Sequence, residues 1–203
     1  MKELRTALGA LALTATTALA DSPVVLNAVG TWSSLTNFQK HEEPFFNERL
    51  ATASDGRIVG KIQSQSGLGL KGFEIMRLVK NGVFDFAFGL PGYVAAENAI
   101  FEGADLSTLT QDIDTQREVS DAYFKTLETA FEDIYNAKLL MLYPFPSQTL
   151  WCNGEVNGIA DLEGKKIRVY STTLGDFVEG VGGTSVTVAF SEAIPALEKG
   201  VED

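Results

Sequence analysis

Arg168 sits where a fixed charge can do selective chemistry. It lies within Lys165-Lys166-Ile167-Arg168-Val169, near the end of a predicted strand and a few residues before the next predicted helix. In open α/β sheets the carboxyl ends of the strands face the crevice in which ligands bind. A guanidinium held there grips a carboxylate through two parallel hydrogen bonds. The pattern alone is met equally well by a surface arginine on an edge strand, so both readings stand at this point.

Other groups are weaker candidates. Gly67-Leu68-Gly69-Leu70-Lys71-Gly72 satisfies G-x-G-x-x-G between a predicted strand and helix, the spacing that lets a pyrophosphate approach a helix N-terminus. It follows the second strand rather than the first, and Asp85 and Glu97 fall early and late for the acid that would hold a ribose. A glycine-rich loop facing a cleft fits better than a dinucleotide site. His41, Glu42 and Glu43 are consecutive and cannot share a helix face, so they read as solvated helix surface rather than a metal cluster. Asp105, Asp112, Asp114 and Glu118 read as a solvated face or an acidic helix N-terminal turn. Cys152 reads as a small buried hydrophobe.

Composition removes several classes of function. Lys plus Arg number 16 against 27 acids, a net charge of −11, which is the opposite of a nucleic-acid binder's surface. One Cys and one His leave no disulfide framework, no Cys-rich zinc module and no HExxH metalloprotease. No P-loop, G-x-S-x-G or triad spacing occurs, and no metal or cofactor is expected.

The elements that must position these residues alternate. Strands are predicted over 23–30, 57–64, 83–89, 138–145, 149–153, 166–170 and 184–188. Helices are predicted from Ser33 or Ser34 to about Ala53, with Pro44 kinking or dividing it, and over 73–80 and 114–136. Two more begin near Thr173 and Ser191. Strands separated by helices imply parallel crossovers, hence an α/β fold. Pro144-Phe145-Pro146 is the best candidate for a crossing between domains. Residues 1–20, MKELRTALGALALTATTALA, have a basic start, a short apolar stretch and an A-x-A site. They read as a secretory signal peptide ahead of an amphipathic helix or a membrane anchor.

From Ile159 onward the chain resembles the DctP-like solute-binding proteins of tripartite ATP-independent periplasmic (TRAP) transporters. The resemblance rests on D-L-x-G-x-K-I-R-V at 161–169, Gly182-Gly183, A-F-S-E at 189–192 and A-L-x-K-G-V-x-D at 196–203. The Gly67–Gly72 loop and the 79–85 stretch carry it into the N-terminal half. It implies an α/β, two-lobed periplasmic binding protein fold (type II-like), with residues 21–146 as lobe I and 147–203 as a partial lobe II. Members of the family run further, so the second lobe is expected to be incomplete in this chain. The resemblance makes Arg168 the partner of a ligand carboxylate and places Phe190 against the ligand from the second lobe. Trp32 and Ser33, with Gly89 in the Phe88-Gly89-Leu90 loop, would contribute from the first.

Two departures from the family pattern bear on the ligand. Where several members carry a second arginine or a polar partner, this chain has Ser147, Gln148, Thr149 and Trp151, and the family's asparagine after the motif arginine is Ser171. Gln148, Trp151 and Ser171 are therefore expected to line the site. Fewer charged partners and more aromatic surface imply a monocarboxylate, an oxo or aromatic acid, rather than a dicarboxylate. The partners implied are an organic acid and the transporter's membrane subunits, and the location is the periplasm. Two alternatives remain: a binding protein of an ATP-driven importer, and a dinucleotide-dependent oxidoreductase using Gly67–Gly72.

Overall fold

The computed structural model describes residues 22–203, so the expected signal peptide lies outside the described residues. β1 (Val24–Gly30) is the middle strand of a parallel sheet of order β2-β1-β3, flanked by β2 (Ile58–Ser64) and β3 (Phe86–Ala87). The register sets Gly30 opposite Ser64, bringing two strand ends level. Successive strand residues face opposite ways. Ala28 therefore joins Phe38, Phe46 and Ile62 on one face, while Val29 joins Ile75, Val94, Phe101, Leu127 and Phe131 on the other.

Residues 36–53 form one helical run, with π-helical turns at Phe38–Glu42 and Phe45–Arg49 before α1 (Leu50–Ala53). The expected division at Pro44 does not occur. Pro44 has helical dihedrals between the two π turns, where looser bonding accommodates its missing N–H. After α2 (Ile75–Lys80), the long α3 (Ile113–Tyr135) packs Leu127, Ala130, Phe131 and Tyr135 inward at helical spacing. Asp112 caps α3 by accepting from the N–H groups of Asp114 and Thr115, and Asn136 closes it at φ 51°.

A second, two-stranded parallel sheet pairs β4 (Lys166–Val169) with β5 (Thr184–Thr187), joined through α4 (Thr172–Gly180). Ile167 and Val169 point into a core with Leu162 and Val178. The two-residue period turns Arg168 to the opposite face. A 3₁₀ turn at Phe190–Glu192 then leads into α5 (Ala193–Glu198). No helix among the described residues is long and apolar enough to cross a membrane.

Three predicted strands differ. The 83–89 strand shrinks to Phe86–Ala87, because the Asp85 carboxylate accepts from the Asn27 N–H at 2.8 Å, where a ladder carbonyl would otherwise stand. Residues 138–145 and 149–153 belong to no ladder among the described residues. They have strand composition, but a strand exists only with a backbone partner. Leu139 and Leu142 pack on the first core, whereas Leu140 and Met141 are each 63% exposed. Cys152, expected to be buried, is half-buried and unpaired in this segment.

Gly60 is fixed by close packing in β2: a Cβ there would lie 2.5 Å from the Phe46 carbonyl oxygen, a backbone atom with no rotamer to escape to. Gly60→Ala is expected to cost about 1–3 kcal/mol, read as a lowered urea midpoint. An unchanged midpoint would contradict that helix–sheet approach.

Candidate functional site

Arg168 projects from β4 toward the end of β5. Its Nε–H donates to the Val188 carbonyl at 2.9 Å, one residue past the strand, and its Cζ lies 5.5 Å from the centre of the Tyr170 ring. These contacts hold the plane of the guanidinium. Burial pushes the Tyr170 hydroxyl well above its usual range, and the carboxylates of Asp105 and Glu102 add to that. Glu202, 6% exposed, has its carboxyl raised by burial while the positive charge of Arg168 opposes the shift.

Tyr93, in a 3₁₀ turn after β3, joins this group to the first sheet. The Phe190 N–H donates to its hydroxyl at 3.0 Å. Burial raises its pKa, against the Phe190 bond and the charge and hydrogen bonding of Arg168. Phe73 stacks on Tyr93 at 4.3 Å between centroids, Trp32 meets it edge-on at 6.3 Å, and Tyr170 lies 6.0 Å away. Trp32 also touches Phe190 at 4.9 Å. Trp32 and Tyr93 are buried, while Phe190 is 43% exposed. The result is an aromatic wall facing a cation.

Polar contacts flank the wall. Lys71, in the glycine-rich loop, pairs with Glu192 at 2.7 Å, and this carboxylate holds the Lys71 ammonium above its ordinary range. On another side the buried Glu102 carboxylate accepts from the N–H and the hydroxyl of Thr173, at 3.0 and 2.9 Å. It thereby supplies the first turn of α4 with an acceptor that the N-cap residue Ser171 does not provide.

Of the residues singled out in the sequence, Trp32, Phe190 and Arg168 stand around Tyr93. Ser171 lies at the flank, its Cβ 3.2 Å from where a Cβ on Gly92 would be. Ser33 is exposed and bonded to Ser66 at 3.0 Å, bridging the ends of β1 and β2. Gly89 is exposed, with the Met76 methyl filling the space a side chain would need. Gln148 and Trp151 lie in the unpaired extended segment, Trp151 79% exposed, and take no part in the aromatic or hydrogen-bonded contacts of the cluster.

The glycine-rich loop is not free to cradle a phosphate. The Lys71 and Gly72 N–H groups donate to the Glu74 carboxylate at 2.9 and 3.1 Å, so an acid already holds those donors. Nor are His41, Glu42 and Glu43 all solvated. Glu42 is buried and accepts from the Thr31 N–H and hydroxyl at 2.7 and 2.9 Å, pinning the end of β1. Among the described residues no group of three or more His, Cys, Asp and Glu stands close enough to hold a metal ion. No local pattern marks Tyr93, Phe73 or Tyr170 as site residues; the one hint in the sequence is an aromatic placed directly after Pro91-Gly92.

The family model of bacterial extracellular solute-binding proteins, family 7 (DctP), matches residues 29–203. The chain belongs to that family. This DctP-family chain is also similar to solved structures. DctP7 of Bordetella pertussis, an extracytoplasmic solute receptor binding pyroglutamic acid, is 24% identical with a TM-score of 0.79, over 89% of this chain and 59% of that one. A TRAP periplasmic solute-binding protein of Desulfovibrio salexigens with bound orotic acid is 20% identical, TM-score 0.75, over 88% and 58%. One of Pseudomonas putida F1 with bound D-glucuronate is 20% identical, TM-score 0.77, over 89% and 59%. The DctP-family chain thus spans about 59% of the length of these receptors, and the two-lobed α/β fold is shared over that span. No curated protein sequence matches it.

The Lys71–Glu192 pair joins the loop after β2 to the turn after β5. Lys71→Met and Glu192→Gln are expected to be coupled in a double-mutant cycle of urea unfolding at low salt. The coupling should vanish near 1 M salt, where the screening length is about 3 Å. Additive effects at low salt would show that the contact does not join the two elements.

Proposed function

We propose that this protein is the extracytoplasmic solute-binding subunit of a TRAP transporter, taking up an organic acid in the periplasm and presenting it to the membrane subunits. Binding involves no bond chemistry. The acid enters between lobe I, residues 21–146, and the partial lobe II, residues 147–203, and the lobes close on it.

The observation that carries this reading is the setting of Arg168. Its Nε is committed to the Val188 carbonyl. That leaves Nη1 and Nη2, which the Tyr93 hydroxyl also faces, as the fork for the two oxygens of a carboxylate. One such fork beside Trp32, Tyr93, Tyr170 and Phe190 fits a single carboxylate on a flat or ring-shaped body. The similar receptors named above are described with pyroglutamic acid, orotic acid and D-glucuronate, each a ring with one carboxylate. Family membership favours a TRAP system over an ATP-driven importer. The Glu74 carboxylate on the glycine-rich loop weighs against dinucleotide binding.

The test is titration calorimetry with pyroglutamate, orotate and D-glucuronate. For whichever binds, Arg168→Ala should weaken affinity by about 30-fold or more, since removing one partner of a buried charge pair costs roughly 2–5 kcal/mol. Arg168→Lys should lose less, because an ammonium keeps the charge but not the fork. Unchanged affinity in Arg168→Ala would take the carboxylate away from this residue.

A further inference from the structure

The turn between β4 and α4 is seated on a distant part of the chain. Residues 170–173 include the ring on which the Arg168 guanidinium lies and the first two residues of α4. Four residues between β3 and α3 meet that turn. A Cβ on Gly92 would lie 3.2 Å from the Ser171 Cβ and 3.4 Å from the Tyr170 ring. The Tyr170 hydroxyl reaches the Asp105 carboxylate at 3.5 Å. Glu102, the last residue of a 3₁₀ turn over Ala99–Glu102, accepts through one oxygen from both the N–H and the hydroxyl of Thr173. The Ser107 N–H donates to the same hydroxyl at 3.2 Å.

The origin of the cap is informative. The first N–H groups of a helix need acceptors, and a serine at the N-cap commonly supplies one. Ser171 stands at that position of α4, yet its side chain makes no capping bond. A cap from Ser171 would hold the helix alone. A cap from a residue 71 positions earlier holds the helix and also its place against the rest of the molecule. Glu102 is only 3% exposed, and a carboxylate is costly to bury unless hydrogen bonds replace its water. Those bonds come from Thr173, so burial of this carboxylate is favourable with α4 docked and costly without it.

We propose that Glu102 is a positioning residue for the Arg168 site: by capping α4 from the chain between β3 and α3, it fixes the 170–173 turn and with it the Tyr170 ring against which the guanidinium is set. Glu102 does not touch the ligand. Docking of α4 and aiming of the fork are one event, and an acid then meets a fork whose ordering cost has already been met. This rests on the reading of Arg168 as the partner of a carboxylate, which it deepens.

The test has two readouts. The first is calorimetry with pyroglutamate, orotate and D-glucuronate on Glu102→Ala and Glu102→Gln, each checked by thermal melting. For whichever acid binds, Glu102→Ala should weaken affinity about 5–10-fold, the scale of a lost cap, whereas Glu102→Gln, which keeps an acceptor oxygen, should stay within about 3-fold. In an Arg168→Ala background Glu102→Ala should weaken affinity no further, because the two act through one contact. The second readout needs no ligand. It is the NMR resonance of the Arg168 Nε–H, assigned by its loss in Arg168→Lys and sensitive to the ring current of Tyr170. Glu102→Ala should shift it, and Glu102→Gln should leave it in place. Thr173→Val, which removes one of the two bonds, should shift it by less and serves where Glu102→Ala does not fold. An unmoved resonance, or the same loss of affinity with and without Arg168, would overturn the positioning role and leave Glu102 as a contact of the fold. Arg168→Ala without effect, or failure of all three acids to bind, would overturn the carboxylate reading, and the resonance would still decide whether Glu102 sets Arg168.

Discussion

A guanidinium cannot shed its charge at any accessible pH, so a fold that brings one against aromatic surface must fix it and give it something to hold. Arg168 is fixed mainly from the side of β5 and Tyr170, with the Tyr93 hydroxyl also facing its guanidinium. The Val188 carbonyl takes Nε, the Tyr170 ring lies 5.5 Å from Cζ, and the core side chains Ile167 and Val169 on either side in β4 set the face from which it projects. In the function proposed above, the opposite edge of the fork takes the carboxylate of the ligand. Burial raises the pKa of the nearby Glu202, against the positive charge of Arg168.

The first sheet answers that cation through Tyr93. Its hydroxyl takes the Phe190 N–H, so one aromatic side chain ties the turn after β3 to the turn after β5. Around it, aromatic pairs at 4.3 to 6.3 Å lie in stacked, tilted and edge-on arrangements, each worth about 0.5–1.5 kcal/mol beyond its buried area. The surrounding polar contacts use carboxylates as internal acceptors: Glu42 on Thr31, Glu74 on the glycine-rich loop, Glu102 on the first turn of α4. Several acids of this strongly acidic chain are therefore structural rather than solvated.

What the sequence shows is what depends on local pattern. The spacing of Leu127, Ala130 and Phe131 marks the long helix and its buried side, and the apolar run closed by Gly30 marks β1. Arg168 and Phe190 stand in strings specific enough to be recognised as family motifs. What depends on distant partners is not visible. Whether 138–145 is a strand turns on a second backbone beside it, which no apolar run announces. Glu42 looks like a solvated neighbour of His41 until Thr31 is folded onto it. Tyr93 sits in a stretch without periodicity, where only the meeting of the turns after β3 and β5 reveals its place. Gln148 and Trp151 follow family position rather than local chemistry, and they lie in the segment whose packing the local sequence specifies least.

The most direct measurement is a crystal structure of the protein with a cyclic carboxylic acid bound. The account predicts both carboxylate oxygens on Arg168 Nη1 and Nη2 at about 2.7–2.9 Å, with Nε still on the Val188 carbonyl. A carboxylate seated elsewhere in the molecule, with the Arg168 fork turned to solvent, would contradict it.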